Sequence, residues 1–240
     1  MPAELGVQSY TYRSFDIETL PAELDSTPVS AVEVYPGHLG PDDDADYVER
    51  VRDSFESAGI QFCGAGVFTF EEPDDVQAPL EFASDIDASY VSAHFEPGDH
   101  ETIQELIDVA AELDLFVAIH NHGPSAIYST VEEVLGVLEA YPDATHLGAC
   151  VDTGHFFRSG QSPMETIPAL GERIHAVHVK DFLDTETEVV PGDGNLDIAE
   201  LLDLLEAHAS LSAPLVIEYE EDETNPTPAI ATTCERLSNV

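Results

Sequence analysis

Four short apolar runs in the second half of the chain each end in, or lead straight to, a side chain that metals favour: Phe116-Val-Ala-Ile-His120, Gly148-Ala-Cys-Val-Asp152, Ile174-His-Ala-Val-His178 and Leu215-Val-Ile-Glu218. β-Branched runs of this length read as strands, and the stretches between them place apolar residues three and four apart, the period of an amphipathic helix. Strand, helix, strand in succession predicts parallel pairing. In a closed parallel barrel the functional side chains stand at the C-terminal strand ends, where the loops converge. Where the polar residue falls within each run therefore constrains the fold more than which residue it is.

Strands are expected at roughly Leu5–Tyr10, Val29–Tyr35, Ile60–Ala65, Ser89–His94, Phe116–His120, Leu147–Asp152, Ile174–Val179 and Leu215–Glu218, eight in all. Helical patterns lie between them, over Tyr47–Phe55, Ile103–Leu113, Val131–Leu138 and Leu196–His208. Gly59 and Pro142 suit helix ends, and Asp197 or Asn195 suits the start of the helix carrying Leu201, Leu202 and Leu205. The expectation is an α/β fold, a single (β/α)8 barrel, with residues 1–240 as one domain. A length of 240 residues is near the usual size of such a barrel and leaves little for insertions.

Alternate side chains of a strand face opposite sides of the sheet. If His120 points into the barrel, so does His122, while Asn121 points away. By the same rule Asp152 shares a face with Cys150, His178 with Ala176 and Lys180, and Glu218 with Val216 and Glu220. Val177, Val179 and Ile217 then face the helices. One interior face thus gathers His120, Asp152, His178 and Glu218 as a metal-ligand set, with His120 or His122 as the fifth-strand ligand. Two imidazoles and two carboxylates suit one divalent ion such as Mn, Co or Zn better than Mg, which prefers oxygen alone.

Glu218, His120 and Lys180 are the candidate catalytic residues. Lys180 is the only lysine in the chain and follows His178 by two positions on the same face, where a cation stabilises developing negative charge. The competing reading is an ion pair with Asp181 or another acid. Glu33, His94, His122 and His155 would look into the same mouth as substrate-binding residues. Arg173 precedes a strand and belongs at the opposite end of the barrel, and Arg158 is a further scarce cation. The Gly-rich segment Val190–Asp197 lacks both GxGxxG and a P-loop lysine, so it reads as a βα loop beside the site rather than a phosphate cradle. Cys63, Cys150 and Cys234 are widely spaced and odd in number, which predicts buried free thiols rather than disulfides or a thiolate zinc site.

Asp and Glu number 49 against 7 Lys and Arg, a formal net charge of −42, yet 43% of the residues are hydrophobic, as in an ordinary folded chain. Most of the acid is therefore expected on the surface, where high salt screens its self-repulsion. We expect a cytoplasmic protein of a salt-rich cell. A field of this sign opposes nucleic acid and anionic lipid, whose binding depends on Lys and Arg. No segment has the ~18 consecutive apolar residues of a membrane span, and the N-terminus lacks a basic, then apolar, leader pattern. The sequence leaves homo-oligomerisation open.

At Cys150-Val-Asp-Thr-Gly-His155, Ile174-His-Ala-Val-His-Val-Lys-Asp181, Val190-Pro-Gly-Asp-Gly194 and Leu215-Val-Ile-Glu218 the chain resembles the xylose isomerase-like TIM-barrel superfamily, in particular the sugar phosphate isomerase/epimerase proteins. The resemblance begins at Gly6-Val-Gln-Ser-Tyr10 and implies that Asp152, His178 and Glu218 are metal ligands and that His155 is a substrate-side histidine. It departs at the fifth strand, where many members have Glu followed by Asn-His and this chain reads His120-Asn-His122. In the ketose epimerases of that superfamily this Glu and the one matching Glu218 are the two acid/base groups facing each other across the substrate.

The resulting expectation is a divalent-metal-dependent isomerase or epimerase acting on a small sugar or polyol through an enediolate. A keto-sugar or inosose-type dehydratase is the alternative on the same site. An endonuclease IV-like nuclease is disfavoured: Gln61-Phe-Cys-Gly-Ala65 has no histidine, that family's late Asp-x-His appears as Asp193-Gly-Asn195, and the basic surface is missing. The replacement at His120 keeps open a non-catalytic sugar-binding barrel.

Overall fold

The β-branched runs pair side by side until the last meets the first. The computed structural model describes residues 4–239. Its strands are β1 (Leu5–Gln8), β2 (Ala31–Val34), β3 (Gln61–Phe70), β4 (Tyr90–Phe95), β5 (Phe116–His120), β6 (Leu147–Asp152), β7 (Ile174–Val179), a two-residue pair β8 (Asp181–Phe182) and β9 (Glu188–Val189), and β10 (Leu215–Ile217). The order β1-β10-β7-β6-β5-β4-β3-β2 closes a barrel in which the paired strands are parallel, and β8 and β9 form a separate antiparallel ribbon. This is the (β/α)8 barrel that the alternating pattern predicts.

The helices are α1 (Leu20–Leu24), α2 (Ala45–Ser57), α3 (Gln77–Asp85), α4 (His100–Leu113), α5 (Val131–Ala140), α6 (Thr153–Arg158), α7 (Pro163–Leu170), α8 (Ile198–His208) and α9 (Thr227–Ser238). Asp197 rather than Asn195 caps α8, accepting a hydrogen bond from the Glu200 amide. α5 begins with a reciprocal Thr130/Glu133 capping box. α1, α3, α6, α7 and α9 lie outside the four helical patterns read above; they are short, or carry proline and threonine that the pattern does not favour. No helix among the described residues is long and apolar enough to cross a membrane.

Strand parity holds. Val117, Ile119, Val151, Val177, Val179 and Ile217 are buried in the large core that the helices share, whereas Ala31, Cys63, Tyr90, Ala118, Cys150, Ala176 and Val216 form their own buried cluster inside the barrel. Small residues leave room there for one large ring: a Cβ on Gly64 would lie 2.3 Å from the Tyr90 ring. β3 runs five residues past its expected end at Ala65, with a register shift between Ala65 and Phe68. The shift falls at Gly66, whose φ of 148° L side chains rarely adopt and where a Cβ would press on Ser92. That glycine breaks the apolar alternation, so the sequence alone shows only the first half of the strand.

Candidate metal centre

Two residues beyond that apolar cluster, β5, β6, β7 and the end of β10 each deliver one polar side chain toward the axis. His120 Nε2 lies 3.1 Å from His178 Nδ1 and 3.9 Å from Asp152 Oδ2, and His178 Nδ1 lies 3.3 Å from Glu218 Oε2. One donor atom from each of the four residues falls within 4.8 Å of the other three, and all four residues are buried. Of the two fifth-strand histidines, His120 joins this set and His122 does not.

Neighbouring backbone and side chains aim these donors. Asp152 caps α6: its Oδ1 accepts the His155 amide at 2.7 Å, which turns Oδ2 toward the axis. Asn121, facing away from the axis, ties β5 to β6 by exchanging two hydrogen bonds with the Asp152 backbone. His178 Nε2 lies 2.6 Å from Glu33 Oε2, so Nδ1 is the ring nitrogen that faces the centre. Glu33 itself is fully buried and also accepts from Gln8, Tyr90 and Ser92. The structure therefore places Glu33 beneath the site, not in the mouth where a substrate contact was expected. Parity put it on the correct face, but depth along the barrel axis is not readable from one strand.

The charges of this group fit a cation. Asp152 Oδ2 and Glu218 Oε2 are buried and have no hydrogen-bond partner among the described residues, a costly arrangement unless positive charge stands against them. Burial, with Glu218 beside it, pushes the Asp152 carboxyl up to about 8. Burial acts in the same direction on Glu218, but Lys180 and His178 outweigh it and hold that carboxyl well below its usual range. His178 is buried as well, yet Cys150 and Glu33 beside it favour a proton on the ring and raise its pKa well above that of a free imidazole. Two nitrogens and two carboxylate oxygens at this spacing suit a divalent ion of intermediate hardness.

Lys180 is 1% exposed, ion-paired to Glu220 and 3.7 Å from Glu218 Oε2. Burial disfavours its charge, but Glu218, Asp152 and Glu220 more than compensate, and its pKa is raised. Asp181, the other partner considered, is occupied elsewhere. Its carboxylate accepts the amides of Phe182, Gly192, Gly194, Asn195 and Leu196, so the Gly-rich loop has spent those N–H groups on a protein anion and has none of them for a phosphate. Glu220 and Glu188 were not singled out from the sequence. Glu220 shares a face with Glu218, a usable signal, whereas Glu188 sits on the ribbon, where no alternation betrays it.

His94, His122 and His155 cluster beside His120. The His122 ring lies 4.9 Å from that of His94 and 5.8 Å from that of His155. Burial drives the His155 pKa down to about 3 and that of His122 down to about 4, and lowers that of His94, so all three are neutral imidazoles near pH 7. Neutral imidazoles both donate and accept, which suits hydroxyl groups. Arg173 lies at the opposite end as expected, donating to the Leu147 and Ala144 carbonyls. The three cysteines are free and buried.

Inosose dehydratase of Clostridium botulinum (strain Eklund 17B / Type B) is 26% identical over 144 residues, 52% of this chain and 47% of that one. The chain thus spans about half the length of the curated relatives it matches first. Among solved structures, the probable 3-DHS dehydratase AsbF of Bacillus anthracis superposes with a TM-score of 0.76 at 12% identity, over 98% of this chain and 99% of that one. An IOLI protein with a bound zinc atom gives 0.75 at 15% identity, over 98% and 96%. At these identities the two structures share the fold. The model of the xylose isomerase-like TIM barrel family matches residues 21–240, and the chain belongs to that family.

Proposed function

We propose that this protein is a divalent-metal-dependent lyase that dehydrates a keto-polyol or keto-sugar by removing the proton beside the carbonyl and expelling a neighbouring hydroxyl. His120, Asp152, His178 and Glu218 would hold the ion, which when bound supplies Lewis acidity toward adjacent carbonyl and hydroxyl oxygens of the substrate. Glu218 takes the carbon-bound proton, since Lys180 and His178 keep it ionised. The same carboxyl returns that proton to the departing hydroxyl, which leaves as water, so one base completes the cycle. His122, His155 and His94 orient the remaining hydroxyls, and Lys180 holds Glu218 in place. Few cations are available for a phosphate, so the substrate is read as unphosphorylated.

The observation that carries this reading is the orientation of His120. Its Nε2 points into the donor set, 3.1 Å from His178 Nδ1. Epimerisation, the first expectation from the sequence, needs a second base on the opposite face of the enediolate, and the residue at that strand end is committed elsewhere. The inosose dehydratases among the relatives support elimination.

The test combines two assays on metal-replete protein in high salt: NMR of keto-inositols, 3-keto-sugars and ketoses in D2O, and metal analysis. Solvent exchange at one carbon with a product lighter by one water is the expected result. Exchange with an isomerised ketose and no loss of water would replace dehydration by isomerisation. A metal-loaded protein that exchanges nothing would be the sugar-binding barrel.

A further inference from the structure

We propose that the barrel interior holds a second, thiophilic metal position formed by His120, Cys150 and His178, lying deeper than the four-residue centre and sharing both of its imidazoles. The proposal rests on the metal-centre reading above, because the same two histidines serve both sets. Cys150 stands two residues before Asp152 on β6, on the same face, and is paired in register with His120 of β5 and Ala176 of β7. It is 1% exposed. One donor atom from each of His120, Cys150 and His178 falls within 4.8 Å of the other two. Ala118 and Ala176, in the same buried cluster, are small.

Two overlapping donor sets of different hardness make the choice of position depend on the ion. The upper set adds two carboxylates to the imidazoles, which suits Mn2+; the lower set adds sulfur, which suits Zn2+ and above all Cd2+. Binding below converts the Cys150 thiol to a thiolate and releases one proton to solvent. Both positions need His120 and His178, so they are mutually exclusive. A thiophilic ion in the lower one takes the imidazoles away from the upper one.

X-ray absorption at the Cd edge of Cd2+-loaded wild-type protein, and the electronic spectrum of the Co2+-loaded protein, test this directly. A sulfur neighbour to Cd2+ and a thiolate-to-Co2+ charge-transfer band are expected. Both should vanish in Cys150→Ser and persist in Cys63→Ser. Cys150→Ser should weaken Cd2+ binding about tenfold or more while Mn2+ affinity stays unchanged. The wild-type spectra decide the matter even where the variant does not fold. Cd2+ bound by nitrogen and oxygen alone overturns the thiophilic position and leaves the upper centre standing; failure to bind either Cd2+ or Mn2+ removes both.

Discussion

Two layers of side chains fill the barrel, two residues apart on the same strands, and they are built on opposite principles. The lower layer, with Ala31, Ala118, Cys150, Ala176 and Val216, is small and close-packed around Tyr90. The upper layer, with His120, Asp152, His178 and Glu218, is polar and also buried, and two of its carboxylate oxygens have no hydrogen-bond partner among the described residues. Two residues of a parallel strand rise only about 6.6 Å, so the change from apolar to polar occurs within the length of one side chain. The difference teaches that the lower layer is selected for volume and the upper for charge, and a substitution should reveal which rule it breaks.

The largest contrast is expected from Asp152→Ala and His178→Ala. Each should reduce bound divalent metal, measured by elemental analysis after gel filtration, from one ion toward none, and unchanged metal content in either would remove that residue from the centre. A larger residue one layer down should do the reverse: Ala176→Leu overpacks the interior and should cost about 1–3 kcal/mol of unfolding free energy in a denaturant titration. If instead it leaves stability intact, the lower layer is not packed as described.

Lys180→Met sharpens the picture at the upper layer. Metal should stay in place while turnover falls at least about tenfold, or about 1.4 kcal/mol of barrier. Full activity would reduce Lys180 to a structural partner of Glu220.

The smallest effect concerns charge outside both layers. Only five of the 49 acidic residues are buried: Glu33, Asp152, Asp181, Glu188 and Glu218. The melting temperature should rise from 0.1 to 2 M KCl as salt screens repulsion among the others, with metal stoichiometry constant. A flat profile would argue against adaptation to a salt-rich interior.

Sequence alone determined the eight barrel strands apart from the second half of β3, their parallel arrangement and the face on which each polar residue stands. Those features follow from local periodicity: a two-residue repeat sorts Ala176 and His178 from Val177 without any partner strand in view. It also brought His120, Asp152, His178 and Glu218 to one wall, because each occupies the same place at the end of its run.

Tertiary structure decided depth, partnership and orientation. Glu33 lies under His178 rather than beside a substrate because the stagger of β2 against its neighbours, set by the closed barrel, fixes its height. Lys180 turns to Glu220 and Glu218, and Asp181 to the loop amides, because folding brings residues 11 to 40 positions apart into contact. His120 rather than His122 joins the donor set because only the packed barrel fixes which ring reaches the axis. Such choices depend on distances between distant segments, and no local pattern of residues carries that information.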